Sequence, residues 1–124
     1  MPEPLDLVLR FCKAWPRLDL DELVAYFSPD SVYHNIPLDP VTGPEAIRAT
    51  IAGFTSGLRS VEFEVLHYAV ADNVVLTERV DRFISDDRVI ALPVMGVFEI
   101  HDELISAWRD YFDLNQFMSQ MASD

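Results

Sequence analysis

Apolar residues in the first part of the chain recur every three or four positions, the spacing of an amphipathic helix. One such helix is predicted over residues 5–15, up to the proline that follows. A second is predicted over DLDELVAYF, residues 19–27, where Asp19 precedes Glu22 by three positions in a capping pattern. The turn-forming sequence SPD at residues 28–30 is expected to close this helix.

The next segment combines a short strand signal with a third helix. SVYHNIPL, residues 31–38, is β-prone and ends at prolines, which predicts a strand or an extended edge segment. TGPEAIRATIAGFTSGL, residues 42–58, opens with a capping box from Thr42 to Glu45 and has Pro44 near the helix start. Its apolar residues fit a single helical face, so the pattern predicts a helix over this segment.

The second half of the chain changes to a period of two, which is typical of strands. Turn-like tripeptides separate four β-rich runs, so an antiparallel meander is expected. The runs are VEFEVLHYAV (61–70), NVVLTERVDRF (73–83), RVIALPVMGVFEI (88–100) and LISAWRDYFD (104–113). The tail LNQFMSQM is predicted to form a last helical turn or two with Leu114, Phe117, Met118 and Met121 packed inward.

Helices followed by a curled antiparallel sheet predict an α+β fold, with residues 1–124 forming a single domain. The helices are expected to cover one face of the sheet and to leave a cavity on its concave side. Cys12 lies among apolar neighbours and is predicted to be a buried structural thiol.

The net charge of the chain limits the kinds of molecule that it can bind. The chain has 21 acidic and 9 basic residues and a net charge of −12, which repels nucleic acid and anionic membrane surfaces. Neutral or cationic small molecules remain as ligands. No apolar run reaches the roughly 20 residues that cross a bilayer, and the N-terminus lacks a signal-peptide pattern, so we expect a cytoplasmic protein.

The run VVLTERVDRF places charges in an unexpected position. Strand alternation puts Arg79 and Asp81 on one face with the apolar residues Val75 and Phe83. Burying a charged pair is costly, so either this face is exposed to water and holds a solvated ion pair, or the charges belong to a functional site.

Two other stretches present polar groups in the same alternating way. Tyr33 and Asn35 share one face of YHN, and Asp110 shares a face with Trp108 and Phe112. If all three faces line one cavity, that cavity holds two carboxylates, a guanidinium, a phenol and an amide. The alternatives are a surface salt bridge at Asp110 and a polar turn at the Tyr33–Asn35 pair.

Such a cavity would retain one proton if the effect of burial outweighs that of Arg79, which lowers the proton affinity of both acids. Two ionised aspartates beside one arginine sum to −1, and protonation of either carboxylate makes the group neutral, as a dry pocket prefers. The protonated acid and the ionised base would then be available together, without a metal or a cofactor. Opening of an epoxide by water needs this pair of functions, because the departing oxygen takes up a proton and the water loses one.

Four stretches of the chain, VLTERVD, GVFEI, WRDYFD and YHN, closely resemble limonene epoxide hydrolase and its relatives, which have the nuclear-transport-factor-two-like cone fold. The resemblance covers about residues 5–118 and implies a curved, mixed or antiparallel sheet that encloses a deep pocket under N-terminal helices. It implies that Asp81 is the general acid and Asp110 the general base, that Arg79 bridges them, and that Tyr33 and Asn35 hold the water.

The resemblance also implies a reaction: one-step addition of water to small apolar epoxides, cyclic or terpene-like, to give vicinal diols. It implies a homodimer, and no metal or cofactor is expected. From strand parity, the pocket walls are predicted to include Phe83, Leu92 and Val94, and Trp108 and Phe112 are predicted to belong to the core, the pocket wall or both. Three alternatives remain: an aspartate acting as nucleophile, a ketosteroid-isomerase- or polyketide-cyclase-like proton transfer, and a non-catalytic ligand-binding cone.

Overall fold

A computed structural model of the protein describes residues 3–122 and confirms the α+β prediction. In this part of the chain no helix has the length and apolar character to cross a bilayer. The elements are α1 (Pro4–Ala14), a 3₁₀ turn (Trp15–Arg17), α2 (Leu20–Val24), β1 (Phe27–Asn35), β2 (Val41–Thr42), α3 (Pro44–Thr55), β3 (Ser60–Ala71), β4 (Val74–Ile84), β5 (Val89–His101), β6 (Leu104–Tyr111) and α4 (Leu114–Ala122).

The strands form a six-stranded curled sheet in the order β2-β1-β6-β5-β4-β3. β3 to β6 make the predicted antiparallel meander, and β1 lies parallel to β6. This parallel pairing places Tyr33 beside Trp108, and Asn35 beside Asp110. The polar faces of β1 and β6 are therefore adjacent.

The core lies between the concave face of the sheet and the helices α1 and α3. Phe11 of α1 contacts Trp108 edge-on, with the ring centroids 5.1 Å apart, and α3 buries Ile47 and Ile51. Cys12 is buried as predicted, and burial raises the pKa of its thiol to about 12. A thiol with this pKa stays protonated at neutral pH, so Cys12 serves packing.

The predicted second helix is too long. Asp19 caps α2 as expected, since its side chain accepts a hydrogen bond from the Glu22 amide, but the helix ends at Val24. β1 begins at Phe27 and contains residues 28–30, the sequence expected to form the closing turn. Phe27 is buried against the core and its backbone pairs with β6, and this long-range packing overrides the local helical pattern.

The capping box predicted at the start of the third helix is absent. Thr42 lies in β2, where it pairs with Val32, and no side chain caps α3. Gly43 is the N-cap residue and has a φ of 90°, a conformation that favours glycine. Pro44 occupies the first turn, as predicted, because the missing N–H costs nothing there.

Helix α4 does not pack inward as a whole. Met118 and Met121, which were predicted to be buried, are 54% and 50% exposed. Leu114 and Phe117 are partly buried and line the cavity described below. The helix covers the cavity, so the two side chains that face it are partly shielded from water while Met118 and Met121 stay exposed.

The first residues of β5 explain the position of α4. β6 ends at Tyr111, opposite Met95, so the earlier part of β5 has no strand on that side. The Gln120 amide bonds both backbone groups of Ala91, accepting from its N–H at 2.9 Å and donating to its carbonyl at 2.7 Å. Pro93 faces the same free edge, so its missing N–H removes no ladder hydrogen bond.

Candidate active site

A cavity of about 180 Å³ opens on the concave side of the sheet, between α3, α4 and the strands. Most of its wall is apolar, and its polar groups come from β1, β4 and β6 and from Thr50 of α3. The lining residues are Tyr33, Asn35, Leu38, Thr50, Phe54, Phe63, Asp81, Phe83, Leu92, Val94, Asp110, Phe112, Leu114 and Phe117. Four of the five residues proposed as pocket walls are in this set.

The exception is Trp108, which belongs to the core and does not line the cavity. Its side chain is fully buried in the core and is not among the lining residues. It stacks on Tyr33 with centroids 4.4 Å apart and an angle of 15° between the rings. Trp108 therefore supports the cavity from behind, because Tyr33 lies between the indole and the open space.

The concave face of β4 carries the charged pair. Arg79 and Asp81 are 1% and 3% exposed, and Val75 on the same face is fully buried. Asp110, which is 4% exposed, lies two strands away on β6. The structure thus excludes the solvated ion pair and the surface salt bridge, since these charges are shielded from bulk water.

The Arg79 guanidinium joins the two carboxylates. Nε and Nη2 donate to Asp81 at 2.9 and 2.8 Å, and Nη2 and Nη1 donate to Asp110 at 2.8 and 3.2 Å. A fifth bond runs from Nη1 to Thr77 Oγ1 at 3.1 Å. A guanidinium has five N–H donors, so each can have a partner here. The arginine is therefore held rigidly between the acids.

Burial and charge act in opposite directions on this cluster. Burial raises the pKa of Asp81 to about 6, with Arg79 lowering it and Asp110 raising it again. Burial lowers the pKa of Arg79, but the two carboxylates outweigh that effect and the pKa is raised well above its usual range. The guanidinium therefore stays charged, and Asp81 is the acid of the cluster that can hold a proton close to neutral pH.

The two oxygens of Asp110 differ in what they can still accept. Oδ1 takes hydrogen bonds from Trp108 Nε1 at 2.7 Å and from Arg79 Nη1, whereas Oδ2 takes one, from Arg79 Nη2. A carboxylate oxygen has two lone pairs. Oδ2 therefore keeps an acceptor position for a further proton donor.

Tyr33 and Asn35 complete the polar end of the cavity. The Tyr33 hydroxyl donates to Asn35 Oδ1 at 3.3 Å, and Asn35 aligns with Asp110 across the parallel strands. Burial raises the pKa of the Tyr33 phenol further above neutrality. The phenol thus stays neutral and offers hydrogen bonds, as does the amide.

Sequence reasoning missed several residues of this region. Thr77 follows the alternation of Arg79 and Asp81, so strand parity could have identified it. The Phe63 ring lies under the Arg79 guanidinium, with its centroid 4.6 Å from Arg79 Cζ, and no local signal on β3 indicates that contact.

In residues 3–122, no group of three or more His, Cys, Asp or Glu side chains is placed to hold a metal ion.

Three comparisons relate the chain to known proteins. The sequence pattern of the limonene-1,2-epoxide hydrolase catalytic domain matches residues 2–123. The epoxide hydrolase EphG of Mycobacterium tuberculosis is 38% identical over 106 residues, which cover 84% of this chain and 69% of that protein. A solved M. tuberculosis LEH-like epoxide hydrolase superposes with a TM-score of 0.82 at 27% identity, covering 94% of this chain and 87% of the other.

The fold is shared more widely than this family. A SnoaL-like protein of the polyketide cyclase type from Shewanella putrefaciens CN-32 superposes with a TM-score of 0.86 at 17% identity, over 98% of this chain and 87% of the other. This likeness concerns the fold alone. The sequence match is what identifies the group: the chain belongs to the limonene-1,2-epoxide hydrolase family.

Proposed function

We propose that this protein hydrolyses small apolar epoxides to vicinal diols by one-step acid–base catalysis, without a cofactor. The observation that carries the proposal is the buried Asp81–Arg79–Asp110 cluster at the polar end of an apolar cavity. Membership of an epoxide hydrolase family agrees with it. The cluster supplies an acid and a base in a space from which bulk water is largely excluded.

The base side of the reaction uses Asp110. Its Oδ2 takes a proton from a water molecule that Tyr33 and Asn35 orient, since phenol and amide each offer a donor and an acceptor. The water oxygen then forms a bond to one epoxide carbon while the bond from that carbon to the ring oxygen breaks.

The acid side of the reaction uses Asp81. Its carboxyl gives its proton to the departing ring oxygen, which becomes the second hydroxyl of the diol. Before the step Asp81 is protonated and Asp110 ionised, and afterwards the two states are exchanged. With Arg79 charged throughout, the cluster is neutral at both ends of the step, so the apolar cavity never holds an unbalanced charge.

The cavity limits the substrate. Its volume of about 180 Å³ is below the roughly 300–1,000 Å³ of sites for drug-sized ligands. Phenylalanine, leucine and valine side chains dominate its wall. We therefore propose single-ring, terpene-like or short-chain epoxides as substrates and exclude anionic ones, since Arg79 is already paired with two carboxylates and the chain carries a net charge of −12.

The rate should fall with increasing pH above about 6. The pKa of Asp81 is raised to about 6 by burial, and Asp81 must be protonated to act as the acid. On the alkaline side, kcat/KM should drop about tenfold per pH unit, because this parameter reports the free enzyme. A pH–rate profile with a flat alkaline side between pH 6 and 8 would contradict the assignment of Asp81.

The same pKa shift has a consequence for stability. Folding raises the pKa of Asp81 from 3.8 to about 6, so the folded state holds this proton more tightly than the unfolded state. The contribution of Asp81 to the free energy of unfolding is therefore fully present below pH 4 and is lost as the pH rises to about 6. Denaturant titrations across this range measure it.

An epoxide panel with chiral product analysis tests the proposed function. The panel contains cyclic, terpene-like and linear epoxides, and a ketone substrate for proton transfer is assayed beside them. Diol release from a neutral epoxide supports the proposal. Isomerisation or cyclisation of the ketone without diol release would favour the proton-transfer activity, and mere binding would favour a non-catalytic cone.

We also propose a cytoplasmic homodimer. The convex face of the sheet exposes Leu76, Met95 and Tyr111, which a second copy of the chain would cover. The mass in solution by light scattering tests this proposal, and a monomer at micromolar concentration would contradict it.

A further inference from the structure

Gly96 lies where the Arg79 side chain crosses the sheet. It is buried in the middle of β5, and its backbone aligns with Thr77 on β4 and Asp110 on β6. Adjacent strands are about 4.8 Å apart, so roughly 10 Å separate β4 from β6, with β5 between them. The guanidinium therefore has to pass over β5 to reach the Asp110 carboxylate.

No side chain fits on β5 at this point. A Cβ added to Gly96 would lie 2.7 Å from Asp110 Oδ1 and 3.0 Å from Thr77 Oγ1, and closer still to Arg79 Nη1. Non-bonded heavy atoms normally approach to about 3.5–4.0 Å. The three crowded atoms are hydrogen-bonded to one another through Nη1. A methyl group would therefore displace that end of the network.

The backbone gives no other reason for a glycine. Gly43 and Gly57 have positive φ, whereas Gly96 does not. Glycine inside a strand weakens the strand, since it brings no side chain to pack and has more backbone entropy to lose. The glycine in the middle of β5 is explained by the space that the guanidinium occupies.

We propose that Gly96 is a positioning residue for the active site: its lack of a side chain lets Arg79 bridge Asp81 and Asp110. A residue with a Cβ at position 96 moves the guanidinium away from Asp110, and the two carboxylates then no longer share one cation. The consequence for catalysis rests on the proposed function, but the assembly of the cluster does not.

Gly96→Ala tests the proposal, with Gly53→Ala as the matched control. Gly53 lies exposed in α3, and an added Cβ meets nothing within 4 Å. At a temperature where all variants are folded, we expect kcat of Gly96→Ala to fall about 100-fold, the scale of a 1 Å misplacement of catalytic groups. The pH at which its kcat/KM declines on the alkaline side should also differ from that of the wild type. Gly53→Ala should match the wild type in both.

A purely structural role would give a different result. In that case Gly96→Ala would lower the melting temperature but keep the wild-type kcat and pH profile per folded molecule. That outcome would overturn the proposal.

A double-mutant cycle of stability measurements tests the position of Gly96 under Arg79 without an activity assay. Gly96→Ala is made in the wild type and in an Arg79→Met background, and melting is followed at pH 5, where carboxyls left without a cation take up protons. We expect Gly96→Ala to cause a large loss of stability, or failure to fold, when Arg79 is present. In the Arg79→Met background the same substitution should cause a much smaller loss. Equal losses in both backgrounds would overturn the proposal. If no epoxide is turned over, the proposed function fails and this cycle still decides the role of Gly96.

Discussion

Replacing Asp110 with Asn should abolish epoxide hydrolysis while the protein stays folded. The amide cannot take a proton from water, so the nucleophile is not activated. A positioned base contributes about 10²–10⁴-fold to rate, and we expect kcat to fall by at least about 10³-fold. Asp81, which both Nε and Nη2 of Arg79 contact, would then ionise and serve as the counter-ion, so the buried charge is not left unpaired.

Asp72→Asn is the control for this change. Asp72 is exposed in the turn between β3 and β4 and has a φ of 55°, a conformation that asparagine tolerates. The Asp72→Asn substitution removes the same charge from the chain without touching the cavity, and the kcat of this variant should equal that of the wild type. Steady-state diol release measures both variants. Retained turnover in Asp110→Asn would rule out Asp110 as the base.

Asp81→Asn should be nearly as severe, with a fall in kcat of about 10²–10³-fold. The ring oxygen leaves poorly without a proton, and an amide does not transfer one. Arg79 would still bind Asp110, so the cavity should keep its shape. Circular dichroism and rate measurements at the pH optimum check both points.

The pH dependence of the Asp81→Asn variant separates a lost acid from a distorted site. The variant lacks the carboxyl whose pKa burial raises to about 6, so the residual rate should no longer decline above that pH. Its free energy of unfolding should also lose the decrease between pH 4 and 6. Near-normal rates in this variant would move the acid role elsewhere, with Tyr33 as the next candidate.

Strand alternation predicted which side chains share a face, but not whether that face is buried. Arg79, Asp81 and Val75 do lie on one face, as the period of two requires. The same pattern was compatible with a solvated ion pair, because alternation contains no information on what packs opposite. The packing of α1 and the pairing of β1 with β6 determine the burial, and both are contacts between distant parts of the chain.

The misplaced boundaries have a similar origin. Phe27 continues a helical pattern locally, but its burial against β6 and α1 places it in β1. Met118 and Met121 continue the apolar stripe of α4, yet this helix covers a cavity and leaves them exposed. Gly96 reads as a weak point in a strand until the path of the Arg79 side chain is known. Local propensity cannot supply these three facts.

A single turnover in water enriched in heavy oxygen tests the central mechanism most directly. The reaction uses enzyme in excess over epoxide and is quenched after one turnover. Mass spectrometry then measures the masses of the diol and of the peptides that contain Asp81 and Asp110. A one-step addition of water predicts one heavy oxygen in the diol and none in either carboxylate. Heavy oxygen in a carboxylate of Asp81 or Asp110 would show an ester intermediate and contradict the acid–base account.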